Sequence, residues 1–152
     1  MVLILHNLRS VLNVGAIFRT ADAVGVEKIY LAGFTPGPLD RFGRVRKDFH
    51  KAALGAENSV PWESMPDIFA LLKKLKAEGY QLTALEQNKR AIDYKKFNPN
   101  KKCALVIGNE VEGVSKEVLK MCDKIIEIPM QGKKESLNVS VATGIALFRL
   151  LD

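Results

Sequence analysis

Three polar groups interrupt the apolar sequence where chemistry could be carried. The first is Asn7-Leu8-Arg9-Ser10-Val11-Leu12-Asn13-Val14-Gly15-Ala16-Ile17-Phe18-Arg19-Thr20. Arg19 is a guanidinium inside an otherwise apolar helical stretch. Such a group calls for a carboxylate or a phosphate unless it snorkels to water. The second is Val106-Ile107-Gly108-Asn109-Glu110-Val111-Glu112-Gly113-Val114-Ser115, an apolar run that turns straight into Gly-Asn-Glu. Gly108 would let a ligand approach the backbone, and Glu110 would stand as a carboxylate at the strand's end. A tight loop with a solvated acid, followed by a helix capped by Ser115, is the other reading. The third is Ile128-Pro129-Met130-Gln131-Gly132-Lys133-Lys134-Glu135-Ser136-Leu137-Asn138-Val139-Ser140-Val141-Ala142. Ser136 and Asn138 stand where a helix begins, and N-capping accounts for only one of them.

The elements that must position these groups alternate between strand-like and helix-like. Val2 to Leu5, Lys28 to Ala32, Tyr80 to Leu85, Cys103 to Ile107 and Lys124 to Ile128 read as strands. Asn13 to Val24 reads as a helix capped by Asn13 and ended by Gly25. Pro66 to Glu78 carries Ile68, Leu71, Leu72 and Leu75 at helical spacing, and Lys116 to Met121 and Val139 to Leu151 read as further helices. Gly33 to Pro38 is a loop. Strands separated by helices imply an α/β fold: a parallel sheet with flanking helices. The polar groups then fall at strand ends, where ligands bind in open α/β sheets. The final helix is apolar nearly all round, so one sheet cannot cover it. A second copy of the chain is expected on its other side, giving a homodimer.

The chain has 152 residues, 47% hydrophobic and 26% charged, which suits one domain over 1–152 and excludes a largely disordered chain. No apolar run approaches the ~18 residues of a membrane span. Val2-Leu3-Ile4-Leu5 is too short for a signal peptide. Cys103 and Cys122 are far apart, which points to a reducing cytoplasm rather than a disulfide scaffold. His6 and His50 belong to no metal-ligating cluster, so no metal site is expected. A Rossmann G-x-G-x-x-G and a G-x-S-x-G elbow are both missing, and Gly108 to Gly113 lacks the Lys-Ser/Thr of a P-loop. Lys and Arg number 23 against 17 Asp and Glu, a net charge of +6, and such a surplus attracts polyanions such as nucleic acid.

Taken in order, Asn13…Arg19, Gly108-Asn109-Glu110-x-x-Gly113 and Ile128-Pro129-Met130…Ser136-Leu137-Asn138-Val139-Ser140 resemble the three motifs of the SpoU (TrmH-like) RNA ribose 2′-O-methyltransferases, of the SPOUT superfamily. The resemblance covers essentially the whole chain. It implies a parallel sheet whose C-terminal part is threaded as a trefoil knot, an exception to the general absence of knots. It also implies a bound S-adenosylmethionine and a homodimer. By position, Leu85, Gly108, Ile128, Met130 and Leu137 would bind the cofactor. Asn13, Arg19, Glu110, Ser136 and Asn138 would form the reaction centre.

The implied reaction is attack of a ribose 2′-hydroxyl of tRNA or rRNA on the sulfonium methyl. The cofactor supplies the electrophile, so the protein must align the atoms and help the hydroxyl lose its proton. The family proposal makes Arg19 the base, assisted by a substrate phosphate. Because guanidinium groups stay protonated in proteins, Arg19 could instead grip the phosphate and stabilise the developing alkoxide. Glu110 would pair with Arg19 or hold a substrate donor. Arg41, Arg44, Arg46, Lys47 and Lys51, with Phe42, Phe49 and His50 interleaved, are expected to hold RNA together with Arg9. The competing reading is a non-catalytic RNA-binding module with the same fold, which would not need the five-residue reaction set.

Overall fold

The computed structural model describes residues 1–152. Seven parallel strands form one sheet. They are β1 (Val2–His6), β2 (Lys28–Ala32), β3 (Trp62–Ser64), β4 (Gln81–Leu85), β5 (Ile92–Asp93), β6 (Cys103–Ile107) and β7 (Lys124–Glu127). Their order across the sheet is β3-β2-β1-β6-β4-β7-β5. The helices are α1 (Val11–Val24), α2 (Lys47–Ala53), α3 (Ile68–Ala77), α4 (Lys116–Met121) and α5 (Val139–Leu150), with a 3₁₀ turn over Ala56–Asn58.

Period-two alternation divides the apolar residues between two cores. Leu3, Leu5, Ile29, Leu31, Leu105 and Ile107 pack under Ile17, Phe18, Phe49 and Leu147 on one face. Val2, Ile4, Tyr30, Ala104 and Val106 meet Ile68, Leu71, Leu72, Leu75 and Val118 on the other. Burial on both faces explains why β1 and β6 read as unbroken apolar runs rather than alternating ones. Because every strand runs the same way, every carboxyl end opens on one edge, and the three polar groups gather there.

The α/β sheet and the major elements match expectation. Three details differ. Ser10, not Asn13, caps α1, its hydroxyl accepting the Asn13 N–H at 3.2 Å, so Asn13 lies in the first helical turn. The segment 47–53, to which the sequence assigns no element, forms a helix. Its Phe49 is wholly buried, with its ring edge-on to Phe18 at 5.1 Å between centroids. A ring so placed cannot stack on RNA. The short strands β3 and β5 also had no clear signature.

Helix α5 leaves an apolar stripe uncovered within the chain. Val141 is 50% exposed and Phe148 60%, with Ile145 between them and Leu12 of α1 exposed alongside. No helix is long and apolar enough to cross a membrane.

Replacing Phe49 with Ala is expected to lower the unfolding free energy by about 3–5 kcal/mol, the usual loss for a buried aromatic. Urea denaturation measures it, and a loss below about 1 kcal/mol would contradict the placement of Phe49 in the core.

Candidate active site

The site begins at Asn109. Strand β6 ends at Ile107, and the next residues fold back so tightly that Asn109 and Gly113 exchange backbone hydrogen bonds of 2.9 and 3.1 Å. Gly108 is required by this closure: a Cβ there would collide with the Gly113 backbone. One close approach at Gly108 is therefore made by the chain's own loop. The buried Asn109 side chain donates to the Asn7 carbonyl at 2.7 Å and accepts from the N–H groups of Val111 and Glu112.

Glu110 is thereby aimed at the start of α1. Its carboxylate accepts the Arg9 N–H at 3.0 Å and the Ser10 N–H at 3.0 Å, both just before the helix's electropositive end. Burial alone would raise its pKa, but the N–H groups of Ser10 and Arg9, with a contribution from the Asn13 side chain, outweigh that and hold it below the ordinary carboxylate range. Of the expected partners, Arg19 is not one: Glu110 is satisfied by backbone.

Asn138 answers the question left open by the third motif. It is the α5 N-cap, its Oδ1 accepting from the Ser140 N–H at 2.8 Å and the Ser140 hydroxyl at 2.6 Å. Its Nδ2 donates to Asn13 Oδ1 at 3.2 Å, so the starts of α1 and α5 are joined by side chains 125 residues apart. Ser136 caps nothing and, like Glu110, lines the cleft. Asn13, Glu110, Ser136 and Asn138 thus gather at one place.

Arg19 does not join them. It lies six residues beyond Asn13, roughly 9 Å along the helix axis and about 240° around it. It is exposed and makes no hydrogen bond or ion pair. It shares a helical face with Leu12 and Ala16, beside the groove lined by Ala16, Val141, Gly144, Ile145 and Phe148.

Next to the four-residue cluster an open cleft is walled by the loops after β4, β6 and β7. Leu85, Gly108, Ile128, Met130 and Leu137 all line it. Two ties hold the walls together. Glu86 accepts the Val114 N–H at 2.7 Å, packed so closely on Gly113 (φ 69°) that a side chain there would strike its carboxylate. Gln87 donates to the Glu135 carbonyl at 2.7 Å. Neither role was legible in the sequence, because both partners are backbone groups far along the chain. The lining includes Glu86, Glu110, Glu112 and Glu127 and no Lys or Arg. On a chain of +6, this is a cleft suited to a cation with an apolar body. It is ill suited to a polyphosphate nucleotide.

With this geometry in place, comparison with known proteins is decisive. The family model for the SpoU rRNA Methylase family matches residues 1–148. The chain belongs to this family. A tRNA (guanosine(18)-2′-O)-methyltransferase of Aquifex aeolicus is 36% identical over 93% of this chain and 64% of its own length. The AdoMet-bound rRNA methyltransferase of Sinorhizobium meliloti superposes with a TM-score of 0.87 at 30% identity, covering 97% of this chain and 54% of that one. A structure concerned with 2-OH methylation of C/U34 on tRNA has a TM-score of 0.81 at 26% identity, covering 97% of this chain and 91% of that one. The chain spans 57 to 64% of the length of the curated relatives it matches.

The basic segment is only partly free. Arg44 pairs with Asp40 at 2.9 Å and Arg46 with Asp48 at 3.4 Å, and His50 meets Glu57 at 2.6 Å. Arg9, Arg41, Lys47 and Lys51 are exposed without ion pairs. No group of three or more His, Cys, Asp or Glu is assembled to hold a metal ion.

Glu110→Gln removes one carboxylate acceptor and the charge, and is expected to destabilise by about 1–2 kcal/mol at pH 7. A carboxyl whose native pKa is lowered stabilises the fold above its unfolded value of ~4.3, and that stability fades as pH falls through the lower native value. The gap between wild type and variant should therefore close on acidification. Urea unfolding of both proteins from pH 7 to 3 tests it, and a gap independent of pH would refute the assignment.

Proposed function

We propose that the chain transfers a methyl group from S-adenosylmethionine to a ribose 2′-hydroxyl of tRNA or rRNA. The observation that carries this reading is the cluster of Asn13, Glu110, Ser136 and Asn138 beside a cleft that favours a cation over a phosphate. Similarity to 2′-O-methyltransferases and to an AdoMet-bound relative supports it. Among the relatives compared, the one matched over nearly its whole length acts on tRNA, which favours tRNA as the first target to test.

When bound, S-adenosylmethionine supplies an activated methyl on a sulfonium. Leu85, Ile128, Met130 and Leu137 would enclose its apolar parts, and the surrounding carboxylates favour its positive charge over a neutral thioether product. Glu110 acts as a positioning residue, fixing the loop of the second motif against α1. Asn13, Ser136 and Asn138 present amide and hydroxyl groups to orient the ribose. Arg19, as a permanent cation, holds a substrate phosphate and stabilises the oxygen as its negative charge develops.

Arg19 lies outside its own chain's cluster and on the face it shares with the uncovered stripe of α5. The homodimer proposed here pairs those faces and brings Arg19 of one protomer to the cleft of its partner. Residues 1–152 work as one methyltransferase domain, with Arg9, Arg41, Arg44, Arg46, Lys47 and Lys51 holding RNA. Two unpaired cysteines are consistent with a cytoplasmic location.

Labelled methyl transfer to separate unmodified tRNA and rRNA pools, followed by nucleoside analysis, is expected to yield a 2′-O-methylated nucleoside. Cofactor binding with no transfer to either pool would favour the binding-module reading. Arg19→Ala and Asn138→Ala should each lose at least 100-fold in turnover, on the order of a lost transition-state contact. Mixed in equal amounts and allowed to exchange, the two should recover about a quarter of wild-type activity, because half the dimers then hold one intact site. No recovery despite verified exchange would place Arg19 and Asn138 in the same chain's site.

A further inference from the structure

Phe42 is 66% exposed, yet the turn that presents it is locked. Leu39 and Val45 form an antiparallel bridge. The Asp40 N–H donates to the Arg44 carbonyl at 2.8 Å, and the Gly43 N–H to the Asp40 carbonyl at 3.0 Å. The Asp40 carboxylate accepts from the Phe42 N–H at 2.8 Å, the Arg44 N–H at 3.0 Å and Arg44 Nε at 2.9 Å. Gly43, at φ 76°, takes the left-handed position that closes the turn. The ring therefore has no part in forming this structure, which rests on backbone and Asp40. An aromatic side chain in water forgoes the stabilisation that burial would bring, so its place at the tip of a rigid turn asks for another explanation.

The surroundings identify the partner's chemistry. The guanidinium carbons of Arg41 and Arg44 lie 4.8 and 4.9 Å from the Phe42 ring centroid. One aromatic plane and two guanidinium groups offer both stacking surface and positive charge in one place. The turn also follows β2, so it opens on the same sheet edge as the cleft. The segment that leads from β2 toward the turn is tied to the site: the Phe34 N–H donates to Asn7 Oδ1 at 3.1 Å, and the Asn7 carbonyl accepts from Asn109.

We propose that Phe42, with Arg41 and Arg44, is a stacking platform for an unpaired nucleotide of the RNA substrate. The proposal rests on the reading of the chain as an RNA methyltransferase. Stacking uses the face of a base, which every nucleotide has and which a duplex hides. The platform therefore selects unpaired over paired RNA and is indifferent to base identity. Phe34, also exposed at this edge, and the buried Phe49 are not parts of it.

The test uses the full chain and a fluorescent, unstructured 12-nucleotide RNA, alone and annealed to its complement. Phe42→Ala should weaken binding of the single strand about 5- to 150-fold and leave duplex binding within twofold. Phe42→Trp should restore the affinity, and its added indole emission should be quenched by the single strand. Equal affinity of wild type and Phe42→Ala for the single strand overturns the platform while leaving the methyltransferase reading intact. An equal loss for strand and duplex also overturns it, since that marks a general electrostatic contact. If Phe42→Ala instead abolishes binding of an acidic peptide and spares RNA, the surface belongs to a protein partner and the proposal fails. The underlying reading is checked separately, by methyl transfer from wild type to the RNA pools.

Discussion

A carboxylate on two backbone N–H groups holds the site together. Glu110 reaches Arg9 and Ser10 across a hundred residues of sequence and so fastens the loop after β6 to the start of α1. The bond is strong because it is charge-assisted and directed at a helix entrance. It also settles an electrostatic conflict. A carboxylate at the mouth of a cleft attracts any nearby guanidinium, yet the backbone has already satisfied this one. The Asn13–Asn138 contact completes the junction by joining α1 to α5. Two helices, one loop and the cleft thus share one set of coordinates, and displacement of any one element disturbs the others.

The cleft depends on the same economy of close approach. Gly108 and Gly113 pack backbone against backbone, and Glu86 fills the space beside Gly113 while accepting the Val114 N–H. A Cβ at Gly108 would strike the main chain of Gly113, and one at Gly113, already at positive φ, would strike the Glu86 carboxylate. The loop of the second motif is therefore fixed by its own geometry before any ligand arrives, which is the condition for preorganised binding. Its carboxylates lie within a protein whose net charge is positive, so acidic and basic functions are held apart. Negative charge is gathered in the cleft and positive charge on the outer surface.

Much of this was legible in the residues. Unbroken apolar runs in β1 and β6 announced strands buried on both faces, and Gly25 and the Ile68-Leu71-Leu72-Leu75 spacing marked helix boundaries and faces. The ordered motifs pointed to the site and its family. What escaped had identifiable causes. Helix α2 is seven residues long and buries only Phe49 and Ala53, too few apolar positions to mark a helical face. Ser10 and Asn13 are both good caps, and only the backbone angle at Ser10 separates them. Phe42 and Phe49 look alike in a basic stretch, whereas one is at a solvent-exposed tip and the other is in the core. Glu86 and Gln87 bind backbone groups, which have no signature in the sequence of their partners.

The position of Arg19 follows from the same separation of charges. A guanidinium placed inside a cleft walled by four carboxylates would pair with one of them, and a phosphate would then have to displace that partner. On the outer face of α1 it has no such partner, so its charge is open to an incoming anion at no cost in broken ion pairs. That freedom comes with distance from the cluster in its own chain. The uncovered Val141, Ile145 and Phe148 of α5 line a groove with Ala16 of α1, and burying them against a second copy is favourable by apolar area alone. On the proposed reading, the force that assembles the dimer is hydrophobic, and the group it delivers is ionic. Catalysis would then require no rearrangement within either chain, only the meeting of two surfaces that each chain already presents.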